Sequence, residues 1–201
     1  MTGKIFWGQV AFWENYFFIW YTRHMPPRFE VDLDPCEHVT ADAIGQPGQR
    51  VFYVQGWEKG QPPVTVLIEK AQLQSLAIGV EQFLADVARQ NPSLEEASPH
   101  FMEVNMRIHP PVDPLFRVGE IGLGYDQSRD RVVVIMRELL TEDQDPESAA
   151  VVRFWCSRSQ LRALSRWGAD VSARGRPLCP QCGQPMEPEG HFCPKKNGHK
   201  H

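Results

Sequence analysis

Val64-Thr-Val-Leu-Ile-Glu-Lys-Ala-Gln72-Leu73-Gln-Ser-Leu76 is a strand that feeds directly into a helix. Val64 to Ile68 is short, apolar and rich in β-branched residues, as a buried strand requires. After Glu69 the apolar spacing changes. Leu73, Leu76, Ala77, Val80, Phe83, Leu84 and Val87 recur at helical intervals, which predicts an amphipathic helix over 70–90. Asn91-Pro92 stops it. Further along, Val152-Arg-Phe-Trp-Cys-Ser-Arg-Ser-Gln160-Leu161-Arg-Ala-Leu164 has the same form, at a constant offset of 88 residues. Both helices open with Gln-Leu-x-x-Leu.

The neighbouring segments extend the match. Phe29 to Leu33 alternates with period two. His38 to Ile44 and Arg50 to Trp57 read as strands around the turn Gly45-Gln-Pro-Gly48. Phe116 to Tyr125, Arg131 to Arg137 and Ala150 to Cys156 read as three more strands. They are separated by the polar turn 126–130 and the acidic loop Thr141 to Ser148. A helix over 157–173 follows, capped by Ser157 or Ser159, with Leu161, Leu164, Trp167, Gly168 and Val171 on one face. Residues 91–112, with Pro92, Pro99, Pro110 and Pro111, form a connector in which Phe101 to Ile108 adds a short strand. Gly119, Gly122 and Gly124 mark a bent strand, since no helix follows to make a phosphate loop. The expected fold is α+β: two β-β-β-α repeats with antiparallel sheet over 25–174, plus a small C-terminal zinc-binding module over 175–201.

Residues 1–24 stand apart as an aromatic N-terminal extension. The run Ile5 to Tyr21 is too short for a membrane span and is broken by Gln9, Glu14 and Asn15. It also lacks the basic start and cleavage site of a signal peptide. The location expected is therefore cytoplasmic, with no membrane span and with Cys36 and Cys156 as free thiols.

The tail, Cys179-Pro-Gln-Cys182-Gly-Gln-Pro-Met-Glu-Pro-Glu-Gly-His191-Phe-Cys193, has metal-site spacing. Two thiols separated by two residues converge across a tight turn, Cys193 is the third ligand, and His191 lies two residues before it. Three sulfurs and an imidazole suit a closed, tetrahedral structural zinc. His199 is the rival for the fourth position. A redox role is disfavoured, because the pair sits in a Pro/Gly-rich loop rather than at a helix start. So short a module depends on its metal for folding.

The net charge of −4 is unevenly spread. Residues 1–150 carry 12 Lys and Arg against 22 Asp and Glu, and residues 151–201 carry 9 against 3. Arg158, Arg162 and Arg166 recur every fourth residue on the second helix. With Arg174 and Arg176 they are candidate anion-binding residues; the alternative is a solvated face or pairing with the acidic body. Asp34-Pro-Cys36-Glu-His38 gathers acid, nucleophile and base types and reads as coincidence in an exposed loop. No catalytic constellation stands out.

The long tail motif, Gly175 to Gly198, resembles that of a bacterial family catalogued as domain of unknown function 3090. Gly45 to Gln55, Leu67 to Lys70 and Phe116 to Gly119 extend the likeness over about Arg28 to Lys200. The resemblance implies cytosolic proteins without an established activity. The function expected is a binding or adaptor protein for a protein partner. The alternatives are nucleic-acid binding through the arginine stripe and tail, and an enzyme with a pocket between the repeats.

Overall fold

A computed structural model describes residues 5–8, 29–186 and 191–196. Chain order is β1 (Ile5–Gly8), β2 (Glu30–Leu33), β3 (His38–Ile44), β4 (Val51–Trp57), β5 (Val64–Ile68), α1 (Lys70–Gln90), β6 (Pro114–Asp126), β7 (Arg131–Glu138), β8 (Val151–Cys156) and α2 (Arg158–Ala173). Seven strands form one sheet in the order β2-β8-β7-β6-β5-β4-β3, and β1 adds an eighth on β6.

The sheet is mixed. β3-β4-β5 and β6-β7-β8 are antiparallel meanders, as expected, but β5 lies parallel to β6 and β2 parallel to β8. Each parallel join links strands separated by a helix or a long excursion, which spacing along the chain does not reveal. The sheet curls until its ends approach. Cys36 N–H donates to the Trp155 carbonyl (2.7 Å), and Glu37 N–H to that of Trp57 (2.9 Å). Gly56 of β4 faces the Phe154 ring of β8, where a Cβ would come within 2.7 Å of the ring. The core runs from Val54, Val66 and Ile68 through Phe154 and Val152 to Leu73, Leu161, Leu164 and Trp167.

The helices start alike. The Gln72 side chain accepts from Glu69 N–H (2.9 Å), and the Gln160 side chain from Ser157 N–H (2.8 Å). Ser157 also caps α2 through its oxygen, which accepts from Gln160 N–H at 3.1 Å. Each glutamine then reaches the sheet. Gln72 Nε2 donates to the carbonyls of Val118 (3.1 Å) and Gly119 (3.2 Å), and Gln160 Nε2 to those of Cys36 (3.3 Å) and Glu37 (3.0 Å). The helices touch where Ser165 Oγ donates to the Ala77 carbonyl (2.9 Å). Nearby, Gly168 leaves no room for a Cβ against Leu73, whose Cδ1 would lie 2.8 Å away.

The connector differs from expectation. Glu103–Met106 is a single 3-10 turn, not a strand. Only Met106 of the turn is buried, while Met102 and Val104 are exposed. Buried polar groups hold the segment instead. Thr40 Oγ1 donates to the Met106 carbonyl (2.6 Å). Gln55 takes the His109 N–H on its oxygen (2.7 Å) and returns its own N–H to the His109 carbonyl (2.9 Å). Unpaired, such buried groups would cost about 1–3 kcal/mol each, so the pairings fix the connector's path. Trp57 lies against both His38 and His109, with ring centroids 4.8 and 4.7 Å away.

One end of the molecule gathers several chain segments. Gly175, just after α2, sits beside Lys70 at the start of α1. Gln72, on the same turn, binds the Gly119 carbonyl, and Gly119 lies against the Leu139 backbone. The root of the tail and the acidic loop after β7 therefore share this end. Of the aromatic extension only Ile5–Gly8 is described; its strand runs antiparallel to β6, from Ile5 opposite Asp126 to Gly8 opposite Leu123. Among the described residues, no helix is long and apolar enough to cross a membrane.

Candidate metal centre

Residues 177–186 form a small hairpin with Cys179-Pro-Gln-Cys182 at its tip. Met186 N–H donates to the Pro177 carbonyl and Cys179 N–H to that of Gln184, both at 2.8 Å. Gly183 N–H closes the turn on the Cys179 carbonyl (2.8 Å). Gly183 has φ 74°, which glycine adopts without a Cβ penalty. That conformation turns the chain sharply enough to bring both sulfurs to one side.

Cys193 and His191 complete the group. Cys179 Sγ and Cys193 Sγ are 3.8 Å apart, and Cys182 Sγ is 3.1 Å from His191 Nε2. All four donor atoms lie within 4.8 Å of one another, and the cluster could hold a metal ion. Four zinc–sulfur bonds of about 2.3 Å in a tetrahedron set sulfur–sulfur edges at about 3.8 Å. The Cys179–Cys193 edge has that length and is far longer than a disulfide's about 2.05 Å. Cys179 and Cys193 are buried, as a closed site requires. His191 Nδ1 is buried without a partner among the described residues, so Nε2 is the nitrogen presented to the sulfurs. His199 lies outside the described residues.

The backbone assists the thiolates. Cys182 N–H lowers the Cys179 thiol to about 7, against the effect of burial, and Gln181 N–H adds to the shift. Gln184 N–H favours the Cys182 thiolate too, but burial and the neighbouring thiols outweigh it and raise that group. Without a cation, the cluster resists holding several negative charges at once; a divalent ion removes that repulsion.

The arginines of α2 are all engaged. Arg158 bonds Asp130 through Nε (2.7 Å) and Nη2 (3.0 Å), and also the Glu95 carbonyl (2.7 Å). Arg162 meets Glu81 (3.2 Å), Glu96 (3.1 Å) and the Ala97 carbonyl (2.7 Å). Arg166 stands 3.7 Å from Glu81. Arg174 pairs with Glu103 (2.8 Å) and lies over Trp167, which Arg107 also approaches. Arg176 packs beside Gly48 of the β3–β4 turn. Trp167 is fully buried core.

The Asp34 to His38 stretch forms no catalytic group. Cys36 is buried, not in an exposed loop, and burial pushes its thiol up to about 12, with Glu58 and Asp34 adding to the shift. Asp34 is held by Arg129 at 2.7 Å. Burial lowers the His38 imidazole, and the nearby His109 lowers it further. Cys156 is buried as expected, and burial raises its thiol. A depression of about 300 Å3, lined by Glu95, Arg131, Ser157 and Arg158 among others, opens at the start of α2 and not between the helices.

Sequence reading missed two residues of the centre. Leu178 and Phe192 are 63% and 72% exposed. Each directly precedes a buried cysteine of the cluster; an apolar residue before a ligand was the available signal.

Residues 31–193 match the family described as a protein of unknown function, DUF3090. The chain belongs to this DUF3090 family. No curated protein and no solved structure matches it.

Proposed function

We propose that this DUF3090 protein is a binding protein whose tail, folded around a structural zinc on Cys179, Cys182, His191 and Cys193, recognises a protein partner. The exposure of Leu178 and Phe192 beside the cluster carries the proposal. A metal fold holds two large apolar side chains out in water, where they gain by burial against another surface. Nucleic-acid binding is less favoured, because Arg158, Arg162 and Arg166 already answer carboxylates. An enzyme pocket between the helices is also disfavoured, since Leu73 packs on Gly168 and Ser165 bonds Ala77 there.

We further propose that β3-β4-β5-α1 and β6-β7-β8-α2 are copies of one unit. The equivalent helix-start bonds of Gln72 and Gln160 support duplication. So does the Ser165–Ala77 contact: these positions differ by the same 88 residues as the aligned motifs. Equivalent positions meet each other at a twofold axis, so this contact is what two units related by one would give.

The test compares the wild-type protein with Leu178→Ser/Phe192→Ser. Bound metal should be equal in both, and capture of a protein partner should occur with the wild type alone. Salt-sensitive retention on RNA that Arg162→Glu abolishes would sink this reading in favour of nucleic acid.

A further inference from the structure

The connector between α1 and β6 is tied to β3, β4 and β5 by polar and aromatic contacts. Thr40, Gln55 and Thr65 lie buried beneath it. Thr40 holds the Met106 carbonyl, and Gln55 clamps both backbone groups of His109 while its Nε2 also reaches Thr65 Oγ1 (2.9 Å). At the margin, the Trp57 indole meets the His109 ring nearly parallel, at 27°, and the His38 ring at 37°.

His38 is the weak point of this arrangement. Its Nε2 is buried and has no hydrogen-bond partner among the described residues. The ring's one backbone bond goes to Asn105 of the connector, and so belongs to Nδ1. In the neutral ring Nδ1–H donates there, and Nε2 keeps a bare lone pair. A second proton would have to sit on Nε2, buried with no acceptor beside it, which is costly for a charged donor.

Four residues surround the ring. His109 and Asn105 come from the connector, Trp57 from β4 and Glu37 from the loop before β3. Burial holds the imidazole below its ordinary range, and the charge of His109 adds to this. The Asn105 carbonyl and the Glu37 carboxylate act the other way and do not outweigh them. Arg107, also on the connector, is turned to Asp42 and Glu103. Lifting the connector carries off Asn105 and His109 together, which removes a like charge and lets water reach the ring.

We propose that residues 103–109 are an acid-released strap: protonation of His38 frees the connector from the sheet and bares the polar row Thr40, Gln55 and Thr65. With the strap open, His38 returns to an ordinary imidazole value of about 6.5, above its value in the closed form. Closure is therefore at full strength above about pH 6.5. It weakens as pH falls through the closed-form value, by up to about tenfold per pH unit for one proton.

The test is amide hydrogen exchange of the full chain between about pH 5 and 8, corrected for the intrinsic pH dependence of exchange, beside an NMR titration of the His38 ring. The His109 N–H, which Gln55 accepts, is the reporter. Its opening should rise by up to about tenfold per pH unit on acidification, with amides of β3 to β5 still protected. His38→Gln, which cannot take the proton, should remove the pH dependence. His109→Gln should raise the His38 titration, and the pH at which the strap opens should move with it. Opening that ignores pH, a His38 ring that titrates at or above the ordinary value, or an unchanged slope in His38→Gln overturns the proposal. So does release of the connector only together with the strands beneath it. Should His38→Gln fail to fold, His109→Gln decides: an opening pH that does not follow the His38 titration overturns the strap.

Discussion

The body and the tail are built on opposite economies of structure. From Phe29 to Ala173 the chain buries a continuous apolar core, and Gln55, Thr40 and Ser165 are hydrogen-bonded inside it. Among its described residues the tail shows no such core. Leu178 and Phe192 face outward, Met186 is half-buried, and among the described residues of the tail those buried are Cys179 and Cys193. One part folds because water rejects its side chains; the other gathers four donors that could hold an ion. The contrast teaches that a short segment can leave large apolar side chains in water while it buries a group of possible ligands.

The largest separation of the two comes from Cys182→Ser. Structural zinc sites bind with about 10–16 kcal/mol in small modules, so losing a ligand should empty and unfold the tail. Metal analysis should show the loss, while the thermal transition of the body stays in place. A body transition that fell together with the metal would join the two parts into one unit. Phe154→Ala makes the converse cut. Phe154 is fully buried where β8 meets Gly56, and truncation should cost about 3–5 kcal/mol in denaturant unfolding, with bound metal unchanged. A smaller effect is expected from Ser157→Ala, which removes the cap of α2 and should cost about 1 kcal/mol.

The smallest effect concerns acid. Hydrogen bonds from Ser128 and Arg129 hold Asp126 down at about 2, and Arg158 lowers Asp130. Both carboxyls titrate lower when folded than when unfolded. Their stabilisation is therefore complete above the unfolded carboxylate range, near pH 4, and fades as pH falls towards about 2. Equilibrium unfolding across this window should show a gradual loss, diminished in Arg129→Ala. A stability curve flat to acid would remove these pairs from the account.

Much of the body is legible because burial leaves a period in the sequence. The helix over 70–90 was predicted with its bounds, since Leu73, Leu76, Val80, Leu84 and Val87 mark one face and Asn91-Pro92 ends it. The hairpin of β3 and β4 follows from Gly45 and Gly48, both at positive φ. The connector misleads for the same reason. Met102 and Val104 look like strand residues, yet the segment is held by hydrogen bonds to Thr40 and Gln55, which leave no period. The parallel joins are hidden too, because side-chain alternation says nothing of which strand lies alongside. In the tail the spacing pointed to three thiols and to His191, with His199 as a rival, and the geometry brings the three thiols and His191 together. The expected arginine stripe is present, but its acidic partners Glu81, Glu96 and Asp130 lie on other elements, where helical spacing cannot show them.

The five cysteines give the molecule two clocks. Cys36 and Cys156 are sealed in the body with raised thiols, while Cys179, Cys182 and Cys193 sit together in the tail. An alkylating reagent would register the first pair only as fast as the body opens, and the three others, with a metal bound as proposed, as fast as a chelator bares them. Counting labels against time thus dates each event separately in a single sample, without any dye or tag.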